Sequence, residues 1–265
     1  MSAPIAVTIA GSDSSGGAGI QADLKTFAAL GVYGACVITA LTAQNSNGVF
    51  AIHEVPADFI VAQIDAVFSD LNVAAVKIGM LGSAAAIDAV AAGLDRHRAR
   101  NIVLDPVMAA TSGETLLGAD AVGALRKFAA HASLLTPNLP EAAILLDSEV
   151  ARDEDEMRRQ AKTLLALGPG AVLIKGGHGG GPESIDLLVE ADECTRFAAP
   201  RLYTRNTHGT GCTLASAIAA GLAKGLSLSD AVGDAKTYIS AAIAAADRLD
   251  IGSGRGPLHH FYKWW

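Results

Sequence analysis

A cysteine lies inside a glycine-rich turn that opens a predicted helix, in the stretch NTHGTGCTLASA at 206–217. Gly209, Thr210, Gly211 and Cys212 would present consecutive backbone N–H groups at the helix N-terminus, where unsatisfied donors and the helix dipole attract phosphate. The same position lowers the pKa of a thiol below its usual value of about 8.5. The pattern predicts an anion hole for a transferring phosphoryl group, with Cys212 as base, nucleophile or bystander. A plain glycine turn with Thr210 as N-cap explains the residues equally well.

His208 precedes Cys212 by four residues and raises the alternative of a cysteine hydrolase with His208 as its base. The histidine comes before the glycine turn, and the sequence supplies no third group to orient it, so we expect His208 to be structural. Cys36 and Cys194 lie in apolar, strand-like runs, and we expect inert packing for both thiols. Three cysteines without CxxC spacing indicate neither a metal knuckle nor a disulfide framework, and they fit a reducing cytosol.

Short β-branched runs alternate with longer Ala- and Leu-rich stretches, which is the βα rhythm of a parallel sheet. The runs are apolar on both faces, as strands covered by helices on each side must be. Glycine and polar residues recur where these runs end, so we expect one crevice at the carboxyl ends of the strands. The predicted strands are 5–11, 35–43, 74–80, 101–107, 133–138 and 171–177, followed by an antiparallel extension (184–190 and 194–200) and closing helices at roughly 211–224 and 228–249.

Composition bounds the class of protein. The 265 residues are 51% hydrophobic and 18% charged with no long polar run, which predicts a single domain over residues 1–265. The net charge of -7 and the lack of a basic patch argue against a nucleic-acid partner. The first residues lack a basic region, and their apolar run is far shorter than the ~20 residues of a membrane span, so we expect a cytoplasmic protein without a membrane partner. Neither GxxxxGK[ST] nor GxGxxG follows the first strand, so a nucleotide would have to bind differently.

Eight segments together carry a family resemblance: IAGSDSSGGAGIQADLKTFAALGVYG (9–34), ITALTAQNSNGV (38–49), KIGML (77–81), VLDPVM (103–108), TPNLPEA (136–142), LIKGGH (173–178), NTHGTGCTLASAIAA (206–220) and GPLHHFYKWW (256–265). With them the chain resembles the hydroxymethylpyrimidine/phosphomethylpyrimidine kinases of thiamin biosynthesis, in the ribokinase-like superfamily. The resemblance implies a three-layer αβα fold with a mostly parallel central sheet. It also implies a homodimer that uses ATP and Mg²⁺ to phosphorylate a small-molecule substrate, 4-amino-5-hydroxymethyl-2-methylpyrimidine, and then its monophosphate.

The resemblance also implies residue roles. Sugar-kinase relatives carry a catalytic Asp where this chain has Cys212, so Cys212 inherits the base role or orients the hydroxyl, and Gly209 to Gly211 hold the developing charge. Gln44 offers an amide donor and acceptor to the edge of the aminopyrimidine. Many members of the family carry Val at the position of Thr42. The other substrate-binding positions are Gly11, Ala18, Asp23, Thr42, Met80 and Val107.

Asp105 and Glu141 are the candidate Mg²⁺ ligands, because this hard cation takes few carboxylates directly and bridges phosphate oxygens. The predicted nucleotide-binding residues are Asn138, Lys175, Asp186 and Lys236. The acidic run at 153–159 is typical of a solvated helix with an acidic first turn. We expect the aromatic tail at 259–265 to pack against the fold or a partner chain rather than to do chemistry.

Two other functions fit parts of the same pattern. A pyridoxal-type vitamin kinase shares the fold and the hydroxymethyl acceptor. A non-catalytic pyrimidine-binding protein could use the kinase scaffold, and loss of Cys212, Asp105 or the GTG turn would favour it. All of these are present in the sequence.

Overall fold

The computed structural model describes residues 3–109, 113, 116–118 and 120–265. The strands are β1 (Ile5–Ala10), β2 (Tyr33–Ile38), β3 (Ala40–Asn45), β4 (Gly48–Glu54), β5 (Ala75–Ile78), β6 (Ile102–Leu104), β7 (Leu134–Leu135), β8 (Val172–Lys175), β9 (Glu183–Val189) and β10 (Cys194–Pro200). The α-helices are α1 (Gly19–Ala29), α2 (Ala57–Asp70), α3 (Ala84–Arg96), α4 (Ala121–Phe128), α5 (Leu139–Leu146), α6 (Glu154–Leu165), α7 (Thr210–Ala223) and α8 (Leu228–Ala244).

The main sheet has eight strands in the order β10-β9-β8-β7-β6-β5-β1-β2. In this order, the neighbouring strands β8, β7, β6, β5, β1 and β2 all pair in parallel. Strand β9 pairs antiparallel with both β8 and β10, as the sequence predicts. Two buried clusters cover opposite faces of the sheet. Ile9 and Ile78 belong to the cluster packed against α2 to α6, whereas Ala6 and Ala75 belong to the cluster packed against α1, α7 and α8. The predicted α/β fold, with helices on both faces of the sheet, is therefore confirmed.

The run at 35–43 was predicted as one strand, and this prediction was wrong. The chain leaves the main sheet after Ile38, and the fully buried Thr39 turns it into a separate two-stranded sheet of β3 and β4. The turn is fixed because the Thr39 hydroxyl donates to the Met80 carbonyl at 2.7 Å, and the Thr39 N–H donates to Ala10 at 3.0 Å. This step places β3 over the carboxyl end of β1.

Other strands are shorter than predicted. Strand β6 ends before Pro106 and β7 ends before Pro137, since proline cannot donate the next hydrogen bond of the ladder. Helix α7 matches its predicted range within a residue, while α8 ends at Ala244 and a 3-10 turn follows at Ala246–Arg248. The polar strand ends are thus the beginnings of loops, which converge at one edge of the sheet.

The surface elements agree in part with the predictions. Helix α6 has the predicted acidic first turn, and the Asp153 side chain caps it by accepting from the Glu156 N–H at 2.8 Å. The packing predicted for Cys194 was wrong, because this residue begins an edge strand and is exposed; Cys36 is partly buried. The tail buries its histidines, His259 and His260, while its two terminal tryptophans are exposed. Among the described helices, none is long and apolar enough to cross a membrane.

Candidate active site

A cavity of about 600 Å³ opens at the carboxyl ends of the parallel strands. With one exception, the residues predicted from the sequence line it. They are Gly11, Ala18, Thr42, Gln44, Met80, Asp105, Val107, Asn138, Glu141, Lys175, Asp186, Gly209, Thr210, Gly211, Cys212 and Lys236. The exception is Asp23, which lies beneath the cavity floor.

Cys212 occupies the first turn of α7 and is partly exposed to the cavity. The predicted fall in its pKa was wrong: burial raises the pKa of the Cys212 thiol to about 11, and Asp23 and Asp105 raise it further. Lys77 and the N–H of Gly19 act in the opposite direction. The position at a helix N-terminus is therefore outweighed by desolvation of the thiolate.

Close approach and a positive φ require glycine at Gly209, whereas a Cβ on Gly211 would make only ordinary contacts. Gly209 is the N-cap of α7 with φ +81°, and a Cβ there would collide with the Gly17 carbonyl. A Cβ on Gly211 would lie 3.4 Å from Lys175 Nζ and 3.5 Å from Asp105 Oδ2. Thr210 is not the N-cap, since it is the first helical residue and its hydroxyl donates to the Thr207 carbonyl at 2.7 Å. The turn thus brings backbone N–H groups against the charged groups of the cavity.

Lys175, at the end of β8, lies between two carboxylates. Its Nζ is 2.6 Å from Asp105 Oδ1 and 3.9 Å from Glu141 Oε2. Glu141 also belongs to a capping box of α5, in which it accepts from the Asn138 N–H at 2.7 Å and donates its own N–H to Asn138 at 2.9 Å. Burial raises the pKa of Glu141 to about 7, with Asp105 adding to the effect and Lys175 opposing it. In the described part of the chain, no cluster of three or more His, Cys, Asp or Glu side chains could hold a metal on its own.

Lys236 and Asp186 form a second ion pair at the cavity wall. Lys236 is on α8, and its side chain is buried with its Nζ 2.6 Å from Asp186 Oδ2. The other oxygen of Asp186 accepts from the Gly176 N–H at 3.0 Å. The pair therefore ties α8 and β9 to the glycine-rich segment that follows β8.

Strand β3 and the loop after β1 line another part of the cavity, on the far side of the glycine turn from Lys175. The Thr42 hydroxyl is 2.8 Å from the Ser12 carbonyl and 3.1 Å from Gln44 Oε1. The backbone of Gln44 is held by the Ser14 hydroxyl, which contacts both its N–H and its carbonyl at 2.8 Å. Gln44 therefore lines the cavity with its backbone fixed by Ser14 and its amide oxygen held by Thr42.

Asp23 does not contact the cavity, so its predicted role in substrate binding is corrected. Its side chain is fully buried and accepts from Lys77 Nζ at 2.9 Å, Thr8 Oγ1 at 2.6 Å and Ser216 Oγ at 2.7 Å. The cavity residue is instead Lys77, which sequence reasoning missed because it lies within the apolar run of β5. A charged residue inside a fully buried strand was the available signal.

Asp13 and His208 form a buried contact that the sequence did not reveal. His208 Nε2 is 2.8 Å from Asp13 Oδ2, and the same carboxylate accepts from the backbone N–H groups of Ser15, Gly17 and Ala18 and from the Ser15 hydroxyl. Burial alone would raise the pKa of Asp13, but the hydrogen bonds from His208 and Ser15 hold it well below its usual value. His208 thus has an orienting carboxylate, yet no hydrogen bond joins these described residues to the Cys212 thiol, which a hydrolase would use.

The segment at 252–257 connects the β3–β4 turn to the loop before Gly209. The N–H groups of Gly254 and Arg255 donate to the hydroxyl and the carbonyl of Ser46, at 3.1 and 2.9 Å. Next along the chain, the Gly256 N–H donates to Asn206 Oδ1 and its carbonyl accepts from the His208 N–H, both at 3.1 Å. We call 252–257 the connecting segment, because it fixes the β3–β4 turn relative to the loop before Gly209.

Comparisons with known proteins agree with this geometry. The family model described as phosphomethylpyrimidine kinase matches residues 13–259. A hydroxymethylpyrimidine/phosphomethylpyrimidine kinase of Rhizobium meliloti is 59% identical over 262 residues, covering 98% of each chain. The crystal structure of phosphomethylpyrimidine kinase from Clostridium difficile has a TM-score of 0.80 and 44% identity, covering 90% of this chain and 99% of that one. Pyridoxal kinase from Staphylococcus aureus, in complex with AMP-PCP and pyridoxal, has a TM-score of 0.91 and 31% identity, covering 100% and 96%. The chain therefore has the ribokinase-like fold and belongs to the phosphomethylpyrimidine kinase family of enzymes.

Proposed function

We propose that this enzyme transfers the γ-phosphoryl group of ATP to the hydroxymethyl group of 4-amino-5-hydroxymethyl-2-methylpyrimidine, and then phosphorylates the monophosphate to the diphosphate. One observation carries the proposal. A single cavity contains the Gln44 amide on β3, the Lys175–Asp105 pair at the ends of β8 and β6, and between them the glycine turn with Cys212. This arrangement suits an aminopyrimidine alcohol at one end and a phosphoryl donor at the other.

At the acceptor end, Gln44 would recognise the amino and ring-nitrogen edge of the pyrimidine, and Gly11, Ala18, Thr42, Met80 and Val107 would surround the ring. The methyl end of Met80 lies over Gly11, where a Cβ would displace it, so these two residues together shape this part of the cavity. Cys212 would accept the proton of the hydroxymethyl group as its oxygen attacks phosphorus. Backbone N–H groups from Gly209 to Gly211 would stabilise the charge on the transferring group.

At the donor end, Lys175 would neutralise phosphate charge, and Asn138, Asp186 and Lys236 would border the nucleotide. Asp105 and Glu141 supply hard oxygen donors within 3.9 Å of the same ammonium, so this donor set fits a Mg²⁺ ion shared with phosphate oxygens. When bound, Mg²⁺ would neutralise the charge of the transferring phosphoryl group. Titration of Glu141 near neutral pH would couple binding of the cation to release of a proton.

A pyridoxal-type vitamin kinase is the second candidate, and the similarity to the Staphylococcus aureus pyridoxal kinase in complex with pyridoxal favours it. Its hydroxymethyl acceptor would occupy the same position near Cys212. Relative turnover of pyridoxal and of the hydroxymethylpyrimidine decides between the two. A non-catalytic pyrimidine-binding role is disfavoured because Cys212, Asp105 and the glycine turn all line the cavity.

We further propose a cytoplasmic homodimer with no nucleic-acid partner. Phe50 and Ile52 are exposed on one face of the β3–β4 sheet, and they offer an apolar surface of the kind that subunit interfaces cover. Light scattering at several concentrations tests the dimer. A monomer at every concentration contradicts it.

Product analysis by mass spectrometry tests the function. The protein is incubated with MgATP and the hydroxymethylpyrimidine, and separately with its monophosphate. Formation of the monophosphate and then the diphosphate supports the proposal. Monophosphate alone limits the enzyme to the first step, and no product from either acceptor refutes the proposal and directs the search to pyridoxal.

The base role is tested with Cys212→Ala. We expect this variant to retain pyrimidine and ATP binding while kcat falls by ~10²-fold or more, the range for loss of a general base. Because the thiol has a pKa of about 11, wild-type kcat should rise with pH through the alkaline range while the variant lacks this rise. Turnover within a few-fold of wild type would instead leave Cys212 as an orienting group.

A further inference from the structure

A buried ion pair, Lys77 with Asp23, lies directly beneath the cavity floor. Both side chains are fully buried, and their charged atoms are 2.9 Å apart. Thr8 and Ser216 add hydroxyl donors to the Asp23 carboxylate, so its oxygens are held from β1, β5 and α7 at once. Asp23 holds the pKa of Lys77 above its usual value although burial opposes the charge. A lysine that is desolvated and still charged is unusual unless it is paired.

The pair is connected to Cys212 through helix α7. Ser216 follows Cys212 by four residues, so the two side chains project from the same face of the helix. Ser216 donates to Asp23 at 2.7 Å, whereas Lys77 and Cys212 both reach the cavity. Gly79 leaves room for the ammonium, since a Cβ there would lie 2.7 Å from Lys77 Nζ. The network therefore anchors α7 one turn after Cys212 and places a cation beneath the cavity.

Four charged groups act on the Cys212 thiol. Lys77 from β5 and Lys175 from β8 favour its thiolate, while Asp23 from α1 and Asp105 after β6 oppose it. Lys175 is 2.6 Å from Asp105, and in the proposed function its charge is needed by the phosphate. Lys77 is fully buried and paired with Asp23, and its strand β5 packs against α7, which carries Cys212.

We propose that Lys77 is a positioning residue for phosphoryl transfer, whose ammonium, held in place by Asp23, stabilises the Cys212 thiolate. The thiol first releases its proton to solvent. The thiolate then takes the proton of the acceptor hydroxyl while the acceptor oxygen bonds to the γ-phosphorus and the bond to the ADP oxygen breaks. This inference rests on the proposed base role of Cys212, and Asp23 thereby gains a function other than substrate binding.

The test measures the reactivity of Cys212 without nucleotide or acceptor. In a Cys36→Ser/Cys194→Ser background, Cys212 is the remaining thiol, and its alkylation rate with iodoacetamide reports the thiolate fraction. Lys77→Met should lower the rate at pH 8.5 by ~10-fold or more, the effect of one unit of thiol pKa. Lys77→Arg should restore most of the rate because it keeps the charge. Asp23→Asn should also lower the rate, because it removes the partner that keeps the buried Lys77 charged and in place.

Two further variants distinguish the loss of the Lys77 charge from misfolding of the network. Ser216→Ala removes a neutral donor from the same network and should leave alkylation within about twofold of the background. Lys77→Met/Asp23→Asn keeps the net charge of the pair and avoids an unpaired buried charge, and its rate should still fall below the background. Equal rates in Lys77→Met and the background, or in a folded double variant and the background, would overturn the proposal.

The outcome is separable from the proposed function. If alkylation changes as expected but no phosphorylated pyrimidine forms in the wild type, the kinase assignment fails and the electrostatic relation stands. If both phosphorylated products form but alkylation is insensitive to Lys77, this inference alone fails. In variants that pass the alkylation test, kcat should fall in parallel with the alkylation rate, while KM for ATP stays near wild type.

Discussion

Asp13→Asn is expected to destabilise the protein strongly, although the substitution only replaces one carboxylate oxygen with an NH₂ group. The Asp13 carboxylate accepts five hydrogen bonds: two from Ser15 at one oxygen, and those of Gly17, Ala18 and His208 at the other. An asparagine keeps one acceptor oxygen and presents an NH₂ group to the remaining donors. The backbone N–H groups of Gly17 and Ala18 then lose their partner in a buried site.

The magnitude follows from these unpaired donors. Each buried donor left without a partner costs about 1–3 kcal/mol, so two of them predict a loss of ~2–6 kcal/mol in the free energy of unfolding. Ser15→Ala is the matched control, because it removes a single side-chain donor at 2.7 Å and should cost about 1 kcal/mol. The difference between Asp13→Asn and the control isolates the contribution of the paired backbone groups.

The assay is urea unfolding followed by circular dichroism at pH 7, 5 and 3. Because the folded-state pKa of Asp13 is lowered, its stabilising contribution is complete above the unfolded pKa of about 3.9 and is lost as the pH falls toward the folded value. The gap between wild type and Asp13→Asn should therefore be constant from pH 7 to 5 and narrow at pH 3. A loss below about 1 kcal/mol at pH 7, or a loss equal to that of Ser15→Ala, refutes the reasoning.

Three further predictions concern the cavity. Gly209→Ala should lose at least ~1–2 kcal/mol of stability in urea unfolding, because φ is +81° and a Cβ collides with Gly17; a wild-type midpoint contradicts this. Thr42→Val removes the hydroxyl that orients Gln44, so KM for the pyrimidine should rise ~3–10-fold with kcat retained, and an unchanged KM shows that the hydroxyl is dispensable. Because Glu141 has a pKa of about 7 and must ionise to bind a cation, the apparent Mg²⁺ affinity should rise ~10-fold from pH 6 to 8. Glu141→Gln should abolish this pH dependence, and its persistence in the variant assigns it to another group.

Much of the fold and most of the cavity residues could be predicted from local sequence. Alternation of strand and helix patterns identified the sheet, and residues at strand ends such as Asp105 and Lys175 had to meet at one edge. The glycine turn was recognisable because only glycine tolerates the conformation and close approach found at Gly209. The roles of these residues in binding and catalysis remain predictions.

What could not be predicted depends on three-dimensional surroundings. The sequence pattern places Asp23 on a helix but does not show whether its carboxylate faces the cavity or the buried interior. Its ion pair with Lys77 joins residues 54 positions apart, which leaves no local pattern. The pKa of Cys212 was predicted from the helix terminus alone, whereas burial decides its direction. The contact of Asp13 with His208 spans 195 positions and leaves no local pattern.

The connecting segment has a consequence for how the protein is made. It pairs Ser46 with residues more than 200 positions later in the chain, and the Asp13–His208 contact spans nearly as far. Chains emerge from the ribosome N-terminus first, so strands β1, β2 and β5 can pair well before 252–257 is synthesised. The β3–β4 turn is therefore fixed to the loop before Gly209 only after residues 252–257 have been synthesised, so a nascent chain can form much of its sheet while the cavity still lacks this connection.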